Sequence, residues 1–72
     1  MIGRKKSNCR NLEMMCHAIK PANGWEYALF YNRVEECYEL HYSMVPNGGT
    51  FRQIMKIDNL ADANREYNIH VA

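Results

Sequence analysis

Apolar and polar residues alternate along three consecutive runs of the chain, between residues 25 and 57. Successive side chains of a strand point to opposite faces of a sheet, so apolar residues at every second position indicate half-buried strands. The pattern predicts an antiparallel meander with most aromatic side chains on one face. The apolar positions of the three runs are Trp25, Tyr27, Leu29 and Tyr31; Tyr38, Leu40, Tyr42 and Met44; and Phe51, Met55 and Ile57, with Gln53 as the exception.

Turn chemistry predicts how the second and third runs pair. Asn47 and Gly48 favour a two-residue hairpin turn, because both of its central positions need a positive φ. With this pair at the tip the apolar faces coincide, and a slip of one residue would turn one apolar set towards water. The predicted pairs are Leu40 with Met55, Tyr38 with Ile57, Met44 with Phe51, Glu39 with Lys56, His41 with Ile54, and Ser43 with Arg52.

The connection between the first two runs, residues 32–35, lacks a glycine and gives a weaker turn signal. Alignment of the two apolar faces predicts Tyr27 near Leu40 and Trp25 near Tyr42, which makes the second run the middle strand. The same alignment sets Glu26 across from His41 on the other face.

A helix is predicted after Ile57, where Asp58 or Asn59 can cap the first turn. Leu60, Ala63 and Tyr67 then recur at helical spacing. A helix of about nine residues is too short to be stable alone, so we expect these three side chains to close the core against the aromatic face. Ile69 and Val71 either finish the helix or add a short edge strand.

Residues 12–20 are open to two interpretations. Leu12, Met15, Cys16 and Ile19 form a helical stripe, with Asn11 as a cap and Pro21 as a stop. Residues 21–24 instead resemble the turn at 46–49 and would suit a hairpin leading into the first run, with a fourth strand before it.

The predicted fold class is therefore α+β: a three- or four-stranded antiparallel β-meander packed on one face by a C-terminal α-helix. Residues 1–11 are expected to form a flexible basic arm, and residues 12–72 a single small domain. A chain of 72 residues buries only about 60% of its unfolded surface, so a homodimer would add stability. No apolar run exceeds five residues and the three cysteines are an odd number at unrelated spacings. We therefore expect no membrane span, no disulfide framework and a cytoplasmic location.

The cysteine, histidine and acidic residues do not predict an enzyme. Cys37 and His41 share a strand face but lie about 13 Å apart along it, too far to act as a nucleophile and base or to bind one zinc ion. Cys16 and His17 are neighbours that point in different directions. We expect no catalytic residues, no metal and no cofactor.

The first functional hypothesis is a small binding or regulatory protein that meets a protein partner, or its own copy, with the sheet face away from the helix. An apolar centre within a charged rim is typical of such surfaces. The residues predicted to form this face's interaction site are Phe30, Glu39, His41, Arg52, Ile54 and Lys56.

The alternative hypothesis is DNA binding through a basic arm. Residues 1–20 hold five basic residues against one acidic residue, a balance of +4, whereas residues 21–72 carry −3 from four basic and seven acidic residues. Lysine and arginine gain by releasing counterions from phosphates. The predicted contacts are Arg4, Lys5, Lys6, Arg10, Arg52 and Lys56. In element order alone, a basic arm, three strands and a helix, the chain resembles the arm-binding domains of tyrosine recombinases. Its small size is compatible with a phage or mobile-element accessory protein.

Overall fold

The computed structural model describes residues 11–72, and the arm residues Arg4, Lys5, Lys6 and Arg10 lie outside this range. Four antiparallel strands form one open sheet in the order β1-β2-β3-β4, and a C-terminal helix packs on it. The predicted α+β meander is confirmed, and the segment before residue 20 is a strand rather than the alternative helix. The elements are β1 (Leu12–Ile19), β2 (Glu26–Asn32), β3 (Cys37–Ser43), β4 (Arg52–Ile57) and α1 (Leu60–Val71).

The first hairpin turns at residues 21–24, as their resemblance to residues 46–49 predicts. Gly24 donates its backbone N–H to the Lys20 carbonyl at 2.8 Å and adopts a φ of 73°, in the left-handed region that glycine enters readily because it has no Cβ. The Asn23 side chain accepts from the Trp25 N–H at 2.9 Å. β1 then pairs with β2 along its whole length, with a bulge between Met14 and Cys16.

The pairing of β2 with β3 differs from the prediction by two residues: Leu29, not Tyr27, lies opposite Leu40. The cause is the Asn32 side chain, whose Oδ1 accepts from the N–H groups of Val34 and Glu35, both at 3.0 Å. These bonds place the turn at residues 33–36 instead of 32–35. Tyr42 consequently lies opposite Tyr27, and Ala28, not Glu26, lies opposite His41.

The pairing of β3 with β4 is confirmed for Tyr38–Ile57, Glu39–Lys56 and Leu40–Met55, and is wrong beyond that point. The register shifts after Leu40, so Ile54 has no partner, and the predicted pairs His41–Ile54, Ser43–Arg52 and Met44–Phe51 do not form. The observed pairs are His41 with Gln53 and Tyr42 with Arg52.

The Asn-Gly pair adopts positive φ, 57° at Asn47 and 138° at Gly48, but it lies inside a longer loop than the predicted two-residue turn. This loop spans residues 44–51 between the two strands. It is tied to β2 because the Asn47 N–H donates to the Glu26 carboxylate at 2.9 Å. The one extra residue of the bulge shifts the β3–β4 pairing by one residue, and the longer loop joins the strands in this shifted pairing.

The core lies between the sheet and α1. Its buried members are Leu29, Leu40, Ile57 and Ala63, against which Cys16, Tyr38, Ile54, Met55 and Tyr67 pack. Asn59 caps α1 by accepting from the Asp62 N–H at 2.8 Å. Leu60 remains 43% exposed, so the prediction that it closes the core is wrong. We call the face with Leu29 and Leu40 the helix face, and the opposite one the open face.

Candidate binding site on the open face

The open face carries polar side chains that are buried, although no helix or strand within residues 11–72 packs on it. Side chains alternate between the two sides of a strand, so the open face holds the even-numbered residues of β2 and the odd-numbered residues of β3, which include most of their polar residues. Its buried polar residues are Glu26, Asn32, Glu39, His41 and Ser43.

Glu39 is the centre of a hydrogen-bonded group. Its Oε2 accepts from the Asn32 amide at 2.8 Å, and its Oε1 lies 2.8 Å from Nε2 of His41. An ionised carboxylate only accepts, so Nε2 carries the proton and donates. Burial by itself raises the pKa of Glu39, but the bonds from Asn32 and His41 and the nearby charges of His41 and Lys56 outweigh it, so this pKa lies below its usual 4.5.

Three rings form the apolar centre of the face, and we call Phe30, His41 and Phe51 the ring patch. The edge of one ring meets the face of the next: Phe30 and His41 have centroids 4.8 Å apart at 73°, and Phe30 and Phe51 have centroids 5.7 Å apart at 79°. Such tilted pairs are the favoured arrangement of aromatic rings. Both phenylalanines are only half-buried.

One atom of the ring patch is unsatisfied. Nδ1 of His41 is buried and has no hydrogen-bond partner within the described residues. A neutral imidazole leaves this nitrogen as an acceptor without a donor, and a charged one leaves it as a donor without an acceptor. Buried polar atoms in native proteins are nearly always paired, so this nitrogen is an exception among the described residues.

A second histidine–carboxylate pair lies near the other end of the face. Nδ1 of His17 lies 2.8 Å from Oε2 of Glu26, whose other oxygen accepts from the Asn47 N–H. The His17 side chain is 54% exposed whereas that of Glu26 is 6% exposed. Glu26 therefore joins β1 to the loop before β4, and it fixes the chain that leads to Phe51.

A cleft of about 250 Å³ adjoins Glu39 on the open face. Its rim includes Lys56, whose Nζ donates to Oε1 of Glu35 at 2.6 Å. This bond raises the pKa of the Lys56 ammonium, so the group stays charged. The cleft is polar and is lined by Asn11, Leu12, Asn32, Val34, Glu35, Glu39, Gln53 and Lys56.

The structure brings together four of the six residues predicted for this face and separates two. Phe30, Glu39, His41 and Lys56 lie on the open face, as the pairing of Glu39 with Lys56 and of Phe30 with Glu39 requires. Ile54 packs against the core instead. Arg52 pairs with Tyr42 on the helix face.

Sequence reasoning missed Phe51, which takes the place expected for Ile54 beside Phe30. The signal was present in Gln53, the one polar residue that breaks the apolar spacing of the third run. A bulge moves the residues on one side of it to the opposite face, so an exception in the alternation marks where a bulge falls.

The depressed pKa of Glu39 predicts how stability changes with pH. A carboxyl whose pKa is lower in the folded state stabilises the protein above its unfolded pKa, near 4.5, and loses this effect as the pH falls through the folded value. The wild-type protein should therefore have a higher free energy of unfolding than Glu39→Gln above pH 4.5, and this difference should shrink as the pH falls below 4.5. Urea unfolding of both proteins across this pH range measures the difference.

Glu13→Gln is the control, since that carboxylate is 61% exposed and its distance to the Arg33 guanidinium, 3.8 Å, is too long for a hydrogen bond. Its difference from wild type should be small at every pH. A Glu39→Gln difference that stays constant with pH would show that the carboxyl is not stabilised in the folded state.

The two cysteines of the described residues and Tyr67 pack within the fold. Burial, followed by the charges of Glu35 and Glu39, raises the pKa of the Cys37 thiol, which disfavours the reactive thiolate. Burial and the neighbouring Cys16 raise the pKa of Tyr67 to about 12. Within residues 11–72, histidine, cysteine and acidic side chains do not gather in threes around a point that could hold a metal ion.

Helix α1 is not a membrane span: in the described part of the chain, no helix has the length and apolar character to cross a bilayer. Comparison of the chain with protein-family models, with curated proteins and with solved structures finds no match. The geometry of the open face is therefore the basis on which a function is proposed.

Proposed function

We propose that the chain is a binding protein that docks a protein partner on its open face, with the ring patch at the centre of the contact. The observation that carries this proposal is the ring patch, whose two phenylalanines are half-buried on a face that no helix or strand of residues 11–72 covers. A partner's apolar side chain packed against these rings would remove their remaining surface from water, which favours binding.

The composition of the face supports a protein as the partner. Phe30 and Phe51 offer half-buried aromatic surface, and the exposed polar residues His17, Gln53 and Lys56 lie around it on the same face. Interfaces between proteins have such a centre enriched in aromatic residues and a polar rim. Aromatic residues at the centre of an interface also contribute a large share of the binding energy.

Charge favours a basic partner segment over a second copy on this face. Residues 11–72 contain five basic and eight acidic residues, a balance of −3, and the carboxylates of Glu26 and Glu39 lie on the open face itself. Two copies face to face would bring like charges together, which is unfavourable. We therefore expect a segment in which lysine or arginine flanks one apolar side chain.

DNA binding has less support from the geometry. Arg52 and Lys56 pair with residues on opposite faces of the sheet, so they do not form one basic surface. Lys56 is also bonded to Glu35. The contribution of residues 1–10 lies outside the described range, and the DNA hypothesis, like the regulatory role and the lack of enzymatic activity, stays a prediction.

The test selects a displayed library of random peptides against the full chain and titrates the best peptide by fluorescence anisotropy. We expect selection of basic residues beside an apolar one. Phe30→Asp should weaken binding at least about 30-fold, equivalent to about 2 kcal/mol, as for the central residue of an interface. Circular dichroism verifies that the variant is folded.

Ile69→Asp is the matched control, because it introduces the same charge at an apolar residue of α1 that is 59% exposed. Its affinity for the peptide should equal that of wild type. Equal losses in both variants, or a selection that yields no peptide, would contradict the proposal. Binding of duplex DNA that Arg52→Ala and Lys56→Ala weaken would favour the alternative.

A further inference from the structure

The two edges of the sheet differ in their protection against pairing with another strand. Natural sheets protect their edges with charged residues, prolines and bulges. Both edge strands contain a bulge, at Ile54 in β4 and at Met15 in β1, but β4 also carries two basic residues, Arg52 and Lys56, among its six. The β1 edge has eight residues, and Glu13 is the only lysine, arginine, aspartate or glutamate among them.

Apolar side chains are exposed along the same edge. Met14 and Met15 are each 44% exposed and Ile19 is 45% exposed. Isolated exposed apolar residues are common, but three of them on one long edge strand form a surface that pairing would cover. The edge therefore combines apolar side chains with backbone groups that are available for hydrogen bonds.

The hydrogen bonds at the two ends of β1 show which backbone groups point outward. Asn11 accepts from the Arg33 N–H at 2.9 Å, and Lys20 donates to the Trp25 carbonyl at 2.8 Å. Residues of an antiparallel strand alternate between bonding to the neighbour and pointing away from it. With the bulge between Met14 and Cys16, the backbones that point away from β2 are those of Leu12, Met14, His17 and Ile19.

We propose that β1 pairs antiparallel with β1 of a second copy of this chain. In the two-fold register Leu12 lies opposite Ile19 of the second copy, and Met14 lies opposite His17. The four outward-pointing residues then meet one another, so each N–H and C=O finds a partner in the other copy. The bulges of the two strands meet at the two-fold axis, as an isologous contact requires.

Side-chain chemistry supports this register. Leu12 and Ile19 make an apolar pair on each side of the axis, on the open face. On the helix face, Glu13 lies diagonal to Lys20 of the second copy, which brings opposite charges together. The contact is self-complementary in backbone, apolar side chains and charge.

The pairing of two β1 strands does not depend on the proposed function and does not block it. A two-fold axis perpendicular to the sheet keeps both ring patches on the same side of the continuous sheet, where both remain accessible. The surface that binds a second copy is thus the β1 edge, and the surface that binds the partner is the open face.

The test is a charge swap measured by sedimentation equilibrium of the full chain. Wild type should show a concentration-dependent dimer. Leu12→Glu and Ile19→Lys should each weaken dimerisation at least about tenfold. The double variant should return to within about threefold of wild type, because each new carboxylate faces a new ammonium in the other copy. Positions 12 and 19 lie about 23 Å apart along one strand, so they do not pair within a copy.

Ile69→Lys, on the exposed side of α1, is the control and should dimerise as wild type does. A wild type that stays monomeric at about 1 mM, or a double variant that does not recover, would overturn the proposal. So would a dimer that Phe30→Asp abolishes and Leu12→Glu leaves intact. For variants that fail to fold, amide exchange of wild type decides: the N–H groups of Met14 and His17 should become protected with increasing concentration, and unchanged exchange contradicts the pairing.

Discussion

Leu40→Ala is expected to lower the free energy of unfolding by about 3 kcal/mol, the largest effect of any single truncation we propose. Leu40 is fully buried at the centre of the sheet, opposite Leu29 and Met55. Its removal leaves a cavity under α1, and the loss is a large part of the roughly 4–11 kcal/mol that a domain of this size holds. Urea unfolding monitored by Trp25 fluorescence measures the change.

Leu60→Ala removes the same atoms at a residue that is 43% exposed and outside the core cluster. It should cost about 0.5 kcal/mol or less. Equal losses at the two positions would mean that α1 docks differently from the structure. A loss at Leu60 larger than at Leu40 would support the prediction from helical spacing that Leu60 closes the core.

Glu39→Ala is expected to cost about 2–3 kcal/mol, because it leaves two donors without their acceptor. The Asn32 amide and the His41 ring both donate to this carboxylate, at 2.8 Å each. The Asn32 amide group also holds the turn at residues 33–36 through Oδ1, so the loss should loosen the β2–β3 hairpin. Chemical unfolding and the amide exchange of Val34 and Glu35 measure the two effects.

Glu35→Ala is the matched control on the same hairpin. That side chain is 53% exposed and its partner Lys56 is 44% exposed, and an exposed ion pair contributes little. We expect a much smaller loss of stability than for Glu39→Ala. A Glu39→Ala variant as stable as Glu35→Ala would mean that the hydrogen-bonded group on the open face does not stabilise the fold.

The strands, the helix and the face of the sheet that packs against the helix were predictable, because they follow from local chemistry. Alternation identified β2, β3 and β4, and Asp58 or Asn59 marked the start of the helix. The choice of strand for residues 12–20 was not decided by alternation, since Leu12, Met15, Cys16 and Ile19 also have helical spacing. The bulge at Met15 explains that ambiguity, because it shifts the apolar period of β1 by one residue.

The details of register were less predictable, because they depend on side chains that bond to the backbone. Asn32 moves the turn after β2 by one residue and so moves the strand pairing by two. The loop at 44–51 is held by Glu26, which lies far from it in sequence. A pattern of apolar and polar residues contains no information about such long-range bonds.

The site was predictable only in part for the same reason. Phe30, Glu39 and His41 were assigned to the open face from alternation alone. Their burial, and the unsatisfied nitrogen of His41, arise from the hydrogen bonds and rings around them. Phe51 joined the site through the bulge at Ile54, which a strict alternation does not anticipate.

The bulge at Ile54 turns Phe51 onto the open face beside Phe30 and His41. Nuclear Overhauser spectroscopy of the full chain, with labelled phenylalanine rings, tests this placement of Phe51. Centroids 5.7 Å apart predict strong cross-peaks between the ring protons of Phe30 and Phe51. Cross-peaks from Phe51 to Met44, with none to Phe30, would instead show the unbulged register and would remove the ring patch from the open face.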